Sequence, residues 1–192
     1  MPGEYPVHVE VDRQDEYVRL LPLVKWLLAI PHFLVLIFIL LAAAIAHVIA
    51  FFAVIITRRY PEGLYGFVVG AFRWMFRVQA YVLLLTDRYP PFSLQPDPDF
   101  PARYEFDRPA EIDRWRPLVQ WLLAIPYLII THALGYLFGA VTLIALFAIL
   151  FTKRYPPGLF AMARGVLRWQ ARAVAYAGFF VDRYPPFEFD QD

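Results

Sequence analysis

The chain contains one sequence written twice. RLLPLVKWLLAIPH (Arg19–His32) returns as RWRPLVQWLLAIPY (Arg114–Tyr127), and TRRYPEGLY (Thr57–Tyr65) returns as TKRYPPGLF (Thr152–Phe160). FRWMFRVQAY (Phe72–Tyr81) returns as LRWQARAVAY (Leu167–Tyr176), and DRYPPF recurs at Asp87–Phe92 and Asp182–Phe187. A single offset of about 95 residues aligns all four blocks without a gap, the mark of a duplicated structural unit. The repeats are taken as residues 1–95 and 96–192.

Each unit carries two long apolar stretches. The first runs Leu27–Ile56 and again Leu122–Phe151. As a helix it would extend ~45 Å, more than the ~30 Å of bilayer hydrocarbon. Pro31 and Pro126 are expected to divide it, so Arg19–Ile30 reads as an interfacial segment with Lys25 and Trp26 at head-group level; the alternative is one long, unbroken tilted helix. The second stretch runs Gly63–Thr86 and Gly158–Val181. Hydrophobic residues make up 60% of the chain and charged residues 18%. Ordinary globular chains have roughly 45–50% and 25%, so lipid is the expected environment.

These stretches predict an all-α membrane protein with four transmembrane helices, two per repeat. If both stretches span, each unit leaves on the side it entered, and the repeats are parallel. The termini and the Ser93–Asp113 linker then share one face. Arg13, Arg19, Lys25, Arg88, Arg114, Arg116 and Arg183 lie there, against Arg58, Arg59, Lys153 and Arg154 at the turns. The positive-inside rule therefore predicts a multi-pass inner (plasma) membrane protein with cytoplasmic termini. Alternating residues at Val7–Asp12, Tyr104–Asp107 and Phe187–Asp190 predict short strands that form a small cap on the termini side.

Arg-Tyr-Pro triplets close the helices. Proline stops a helix, tyrosine favours the head-group layer and arginine snorkels to phosphate. Arg59, Tyr60, Arg88, Tyr89, Arg154, Tyr155, Arg183 and Tyr184 are thus predicted interface anchors, with Trp26 and Trp121.

The candidate ligand-binding residues are arginines inside the second helix of each unit: Arg73, Arg77, Arg164, Arg168 and Arg172. An arginine at mid-membrane costs roughly 2.5–3.5 kcal/mol on the mildest scale, so each needs company. No carboxylate lies within the spans. Carbonyls, folded-back carboxylates, another subunit, or a bound anion such as a lipid phosphate are the candidate partners, and the guanidinium fork fits phosphate; the alternative is that this helix rides shallow and snorkels its arginines to water. Gly66 and Gly70 form a GxxxG that suits close packing.

Other chemistry is excluded more easily. There is no cysteine, and Ser93 is the only serine, with no histidine near it in sequence. Thiol and serine-hydrolase mechanisms therefore lack a nucleophile. His32, His47 and His132 lack metal-ligand spacing and read as buried, hydrogen-bonded histidines. Neither a catalytic residue, a metal nor a cofactor is expected. A net charge of +1 gives no field for nucleic acid. The polar, acidic Glu4–Glu16 stretch is unlike a signal peptide.

PLVKWLLAIPH, TRRYPEGLYGFVVGAFRW, RVQAY and LLTDRYPPF together resemble the bacterial membrane proteins grouped as domain of unknown function 4389, over nearly the whole chain and twice. The second copy has Gln120 for Lys25, Tyr127 for His32 and Val181 for Thr86. The resemblance implies fold and location and no activity. The expected function is a non-catalytic membrane protein whose arginines bind anionic lipid head groups or a partner membrane protein, self-association included. The alternative is a small anion or solute transporter or channel lined by Arg73, Arg77, Arg168 and Arg172. A membrane enzyme acting on lipid phosphate ranks third, for want of a base or nucleophile.

Overall fold

The computed structural model describes residues 5–188. Strand β1 (Val7–Val11) is followed by α1 (Leu21–Leu28), α2 (Ile30–Thr57) and α3 (Glu62–Val82). The second repeat supplies β2 (Ala102–Phe106), α4 (Arg116–Thr152) and α5 (Pro157–Ala177). Only Ala29 separates α1 from α2, next to Pro31. In the second repeat α4 runs unbroken through Pro126 for 37 residues.

The helix ends follow from the repeated motifs. Arg58 (φ 61°) and Lys153 (φ 58°) take the left-handed conformation and stop α2 and α4. The Thr57 hydroxyl donates to the Ala53 carbonyl (2.7 Å) and accepts from the Arg59 amide (3.3 Å). Thr152 does the same with Ala148 (2.7 Å) and Arg154 (3.2 Å). Pro61 and Pro156, whose fixed φ suits a helix start, then open α3 and α5. The shared Thr, Arg, Tyr and Pro positions build matching hairpins because every group in the turn is local.

The repeats are antiparallel, not parallel as predicted. The Tyr17 amide donates to the Lys153 carbonyl (2.8 Å), and the Ile112 amide to the Arg58 carbonyl (2.9 Å). The start of each unit thus sits at the hairpin turn of the other. These bonds join equivalent positions of the two copies, as do Asp12 to Pro101 and Asp107 to Pro6 (both 2.9 Å). A pseudo-two-fold axis therefore runs across the helices. The predicted division into a termini face and a turn face does not exist, and the basic-residue asymmetry that assigned cytoplasmic termini goes with it. Both ends of the molecule carry a turn and an entry segment.

The cause is the linker. From Leu83 to Arg114 the chain folds back along the whole of α3. Leu94 meets Gly70, Glu105 meets Arg73, and Arg108 reaches the Tyr60 carbonyl at the other end. A Cβ on Gly70 would come within 2.9 Å of Leu94, so this glycine admits the linker, whereas Gly66 has nothing within 4 Å. The GxxxG accordingly packs no second helix.

Three layers result. α2 packs on α3 and α4 on α5, while β2 covers α3 and β1 covers α5. Each strand lies on the helix of the opposite repeat. The two pair antiparallel, with Val9 opposite Tyr104. The strands run across the middle of the molecule and do not cap one end. In the third predicted strand Phe187 and Glu188 are not extended into a ladder, and Phe189 and Asp190 lie outside the described residues.

Among the described residues only two stretches, Leu21–Thr57 and Arg116–Thr152, are long and apolar enough to cross a membrane. In each, 22% of the most apolar window is buried. On α2 the buried residues His32, Leu36, Ala43, Ala46, Ala50 and Val54 form one stripe. Leu34, Leu41, Ile45, Val48 and Phe52 are exposed on the other side. The second stretches, α3 and α5, are instead enclosed between the long helices and the strand layer. Four spanning helices thus reduce to two candidates.

Candidate functional site

The inward arginines hold the chain to itself. Arg73 Nε and Nη2 donate to the two oxygens of Glu105 (3.1 and 2.7 Å), and its Nη1 to the Leu94 carbonyl (2.9 Å). Arg77, one turn on, donates to the carbonyls of Ser93 (3.4 Å) and Gln95 (2.8 Å). Its guanidinium also lies 5.7 Å from the Phe100 ring centroid. Two adjacent guanidiniums on one helix face thereby bind three consecutive carbonyls of the linker, which has no ladder to satisfy them there. Glu105 is the folded-back carboxylate that the spans themselves lack.

The second copy repeats the device. Arg172 donates to the Glu188 carbonyl (3.0 Å), the equivalent of Arg77 on Ser93. Arg168 Nε donates to the Val9 carbonyl (3.0 Å), so it grips the strand layer directly. Arg164, half-buried and a turn earlier, also engages the protein. Arg73, Arg77 and Arg172 are buried. The five arginines therefore line no common site: they fall on two helices, each under its own returning segment.

Lys25 departs from its predicted head-group position. It is 1% exposed, donates to the Thr86 carbonyl (2.7 Å), pairs with Asp87 (2.7 Å) and lies 4.9 Å from the Tyr81 ring centroid. Gln120, its equivalent, donates to the Val181 carbonyl (2.7 Å), the equivalent of Thr86. The substitution Lys to Gln between copies preserves a donor to a helix-end carbonyl, and that shared role is the signal the sequence offered.

The aromatic anchors divide. Trp26 and Trp121 are exposed, as are Tyr89 and Tyr184. Tyr60 and Tyr155 are core residues, not anchors. The left-handed turn before them folds each ring beneath its hairpin. Tyr60 bonds His47 Nδ1 (3.1 Å) and packs on Phe179 and Phe180, and Tyr155 packs on Tyr17 and Phe160. Arg59 and Arg154 stay exposed. The Arg88 side chain returns to the Asp99 carbonyl (2.6 Å), and Arg183 accepts the Tyr5 hydroxyl on its carbonyl (3.2 Å).

Of the three histidines expected to be buried, only His32 is: His47 is half-buried, and His132 is exposed, with Tyr136 Oη 3.4 Å from its Nε2. His32 is buried, accepts from Trp74 Nε1 on Nδ1 (3.1 Å) and stacks on Phe92. Its equivalent, Tyr127, stacks on Trp169. Among the described residues no group of three or more His, Cys, Asp or Glu could hold a metal ion.

Charge is displayed on the strand layer. Arg103 spans Glu10 (2.8 Å) on the facing strand and Asp12 (2.8 Å) just past its end, and these carboxylates, Asp12 first, raise its pKa. The equivalent pair is His8 with Asp107 (3.2 Å).

A cavity of about 1120 Å³ lies on the pseudo-two-fold axis. Its walls are the N-terminal part of α2 and the middle of α4, including Leu36 and Gly135, and its floor is α3, α5 and Tyr104. Gln79 Nε2 donates to Gln170 Oε1 (2.8 Å) across that floor. Sequence reasoning missed it because it forms only where the repeats cross.

The family model described as Domain of unknown function (DUF4389) matches residues 21–93 and again 114–188. No curated protein matches the chain, and no solved structure does. The two matched segments are the two copies of the helix pair with its RYPPF close, and the chain belongs to the DUF4389 family as a tandem duplication.

Proposed function

We propose that the protein is a non-catalytic membrane module whose two long helices lie in the plane of one leaflet, apolar faces in hydrocarbon and strand layer in water. The observation that carries this reading is the separation of surfaces. α2 has no charged residue between Ile30 and Thr57, and its outward face is wholly apolar. Glu10, Asp12 and Arg103 occupy the opposite layer. That layer crosses the middle of the molecule. Were α2 and α4 upright, these charges would sit at mid-bilayer depth, at a cost of roughly 2.5–3.5 kcal/mol each. A helix of 37 residues is ~55 Å long against ~30 Å of hydrocarbon, which in-plane insertion accommodates without tilt. The exposed Trp26 and Trp121 rings suit head-group depth. In this reading the arginines are structural clamps, and lipid is the partner of the helices.

The absence of native cysteine makes the test direct. Single cysteines at Arg58, Lys153 and Glu10, in right-side-out vesicles with an impermeant maleimide, all react from the same side if the helices lie in plane. Reaction of positions 58 and 153 from opposite sides overturns the proposal.

The transporter reading gains one argument, the antiparallel repeats. Many secondary transporters bind substrate where inverted repeats meet. The cavity here carries no charged lining, so an anion is not its natural cargo. Anion or solute flux above background in proteoliposomes of the unaltered protein would favour that reading, and its absence removes it.

A further inference from the structure

We propose that the cavity on the pseudo-two-fold axis binds a neutral lipid: an apolar chain bearing a hydroxyl or carbonyl group, drawn from the bilayer interior. This rests on the in-plane reading for the ligand's source, but the pocket chemistry stands apart from it. α2 and α4 form the walls while α3, α5 and Tyr104 form the floor. The mouth therefore opens between the two long helices, on the apolar face itself. Hydrocarbon, not water, borders it in that orientation.

The lining defines the occupant. Most of it is aliphatic and aromatic, and no Lys, Arg, Asp or Glu contributes to it. A phosphate or carboxylate there would be desolvated without a countercharge, which is strongly unfavourable. Polarity is confined to the floor pair Gln79 and Gln170, the floor residue Tyr104 and, on the α4 wall, Thr131, His132 and Tyr136, none of which carries a fixed charge. The bond between the two glutamines uses one N–H and one carbonyl. An amide has two N–H donors and a carbonyl with two lone pairs, so the pair retains both donors and acceptors for a hydroxyl or carbonyl. The volume of about 1120 Å³ is of the order of the largest small-molecule sites and admits a long chain.

Gly135 makes the idea testable. It lines the cavity, and a Cβ there would meet nothing within 4 Å. Purified protein in detergent micelles is photolabelled with hexadecanol carrying a mid-chain diazirine, in parallel with the matching alkane and palmitate probes. The alcohol is expected to label peptides containing Leu36 and Gly135 above those containing Ile45 and Phe52. Gly135→Trp should lower that labelling about tenfold. Ile37→Trp, which fills the cavity from the opposite wall, should do likewise and guards against a folding defect in the first variant. Gln79→Leu combined with Gln170→Leu should remove the preference for alcohol over alkane. Labelling spread evenly along α2, labelling untouched by both tryptophans, or palmitate labelling equal to the alcohol overturns the proposal. So does a dimer that either tryptophan dissolves, since a second copy then fills the groove. Because the assay needs no membrane, failure of the in-plane reading leaves its outcome intact.

Discussion

Val9 and Tyr104 face each other at the centre of the β1–β2 ladder, and they are the same position of the two repeats. A residue can meet its own copy in this way only about a two-fold axis. The Tyr104 ring turns inward, stacks on Phe76 and donates its hydroxyl to the Ala171 carbonyl (3.1 Å). One side chain at the axis thus touches α3 and α5 together, tying the halves across the cavity floor.

The ladder register is testable by disulfide formation. Glu10 lies opposite Arg103 in the ladder, and directly opposed residues have Cα atoms about 5.5 Å apart when hydrogen-bonded. That suits a disulfide. Glu10→Cys with Arg103→Cys should oxidise within one chain, while Glu10→Cys with Asp107→Cys should not. Non-reducing electrophoresis reads the result.

Arg73 should be a stability residue. Its side chain is 8% exposed and Glu105 46%, so removing the arginine takes the donor from the Leu94 carbonyl and the partner from Glu105. Arg73→Ala should lower stability by about 3 kcal/mol, and Glu105→Gln by about 1 kcal/mol because its charge is half solvated. Denaturant unfolding in detergent without added lipid is the measurement. An arginine kept only for a lipid anion would show little loss there.

Lys25 and Asp87 should be coupled. Gln120 shows that an amide can fill the Lys25 position, but Asp182, the equivalent of Asp87, is largely exposed and Asp87 is not. Lys25→Gln alone should be destabilising by about 2 kcal/mol, and adding Asp87→Asn should restore about half of it. A thermal-unfolding double-mutant cycle checks this coupling.

Alkaline pH should loosen the end contact made by Tyr17. Its hydroxyl donates to the Leu85 carbonyl (3.2 Å), and burial pushes its pKa from 10.0 up to about 12. The unfolded chain therefore loses this proton first. The contribution is intact below pH 10 and is lost as pH rises through about 12. Tyr17→Phe should flatten the fall of unfolding free energy over that interval. An unchanged slope would remove Tyr17 as its source.

Much was legible in the residues alone. Thr57–Pro61 and Thr152–Pro156 specified two hairpins because capping hydroxyl, left-handed turn and proline all act within a few residues. The uncharged runs after Leu27 and Leu122 specified two long helices. Arg73 and Arg77 were recognisable as groups in need of acceptors, since a buried guanidinium without one is too costly. What lay beyond the sequence was which way the second unit lies against the first. Parallel and antiparallel repeats bury the same hairpin faces, and hydrophobic burial has no direction. The choice fell to non-local contacts: the linker folded back over α3, Glu105 brought to Arg73, and β1 laid on α5 beside β2. Those contacts join residues far apart in the chain, and they alone set the axis, the cavity on it and the polar layer that opposes the apolar one.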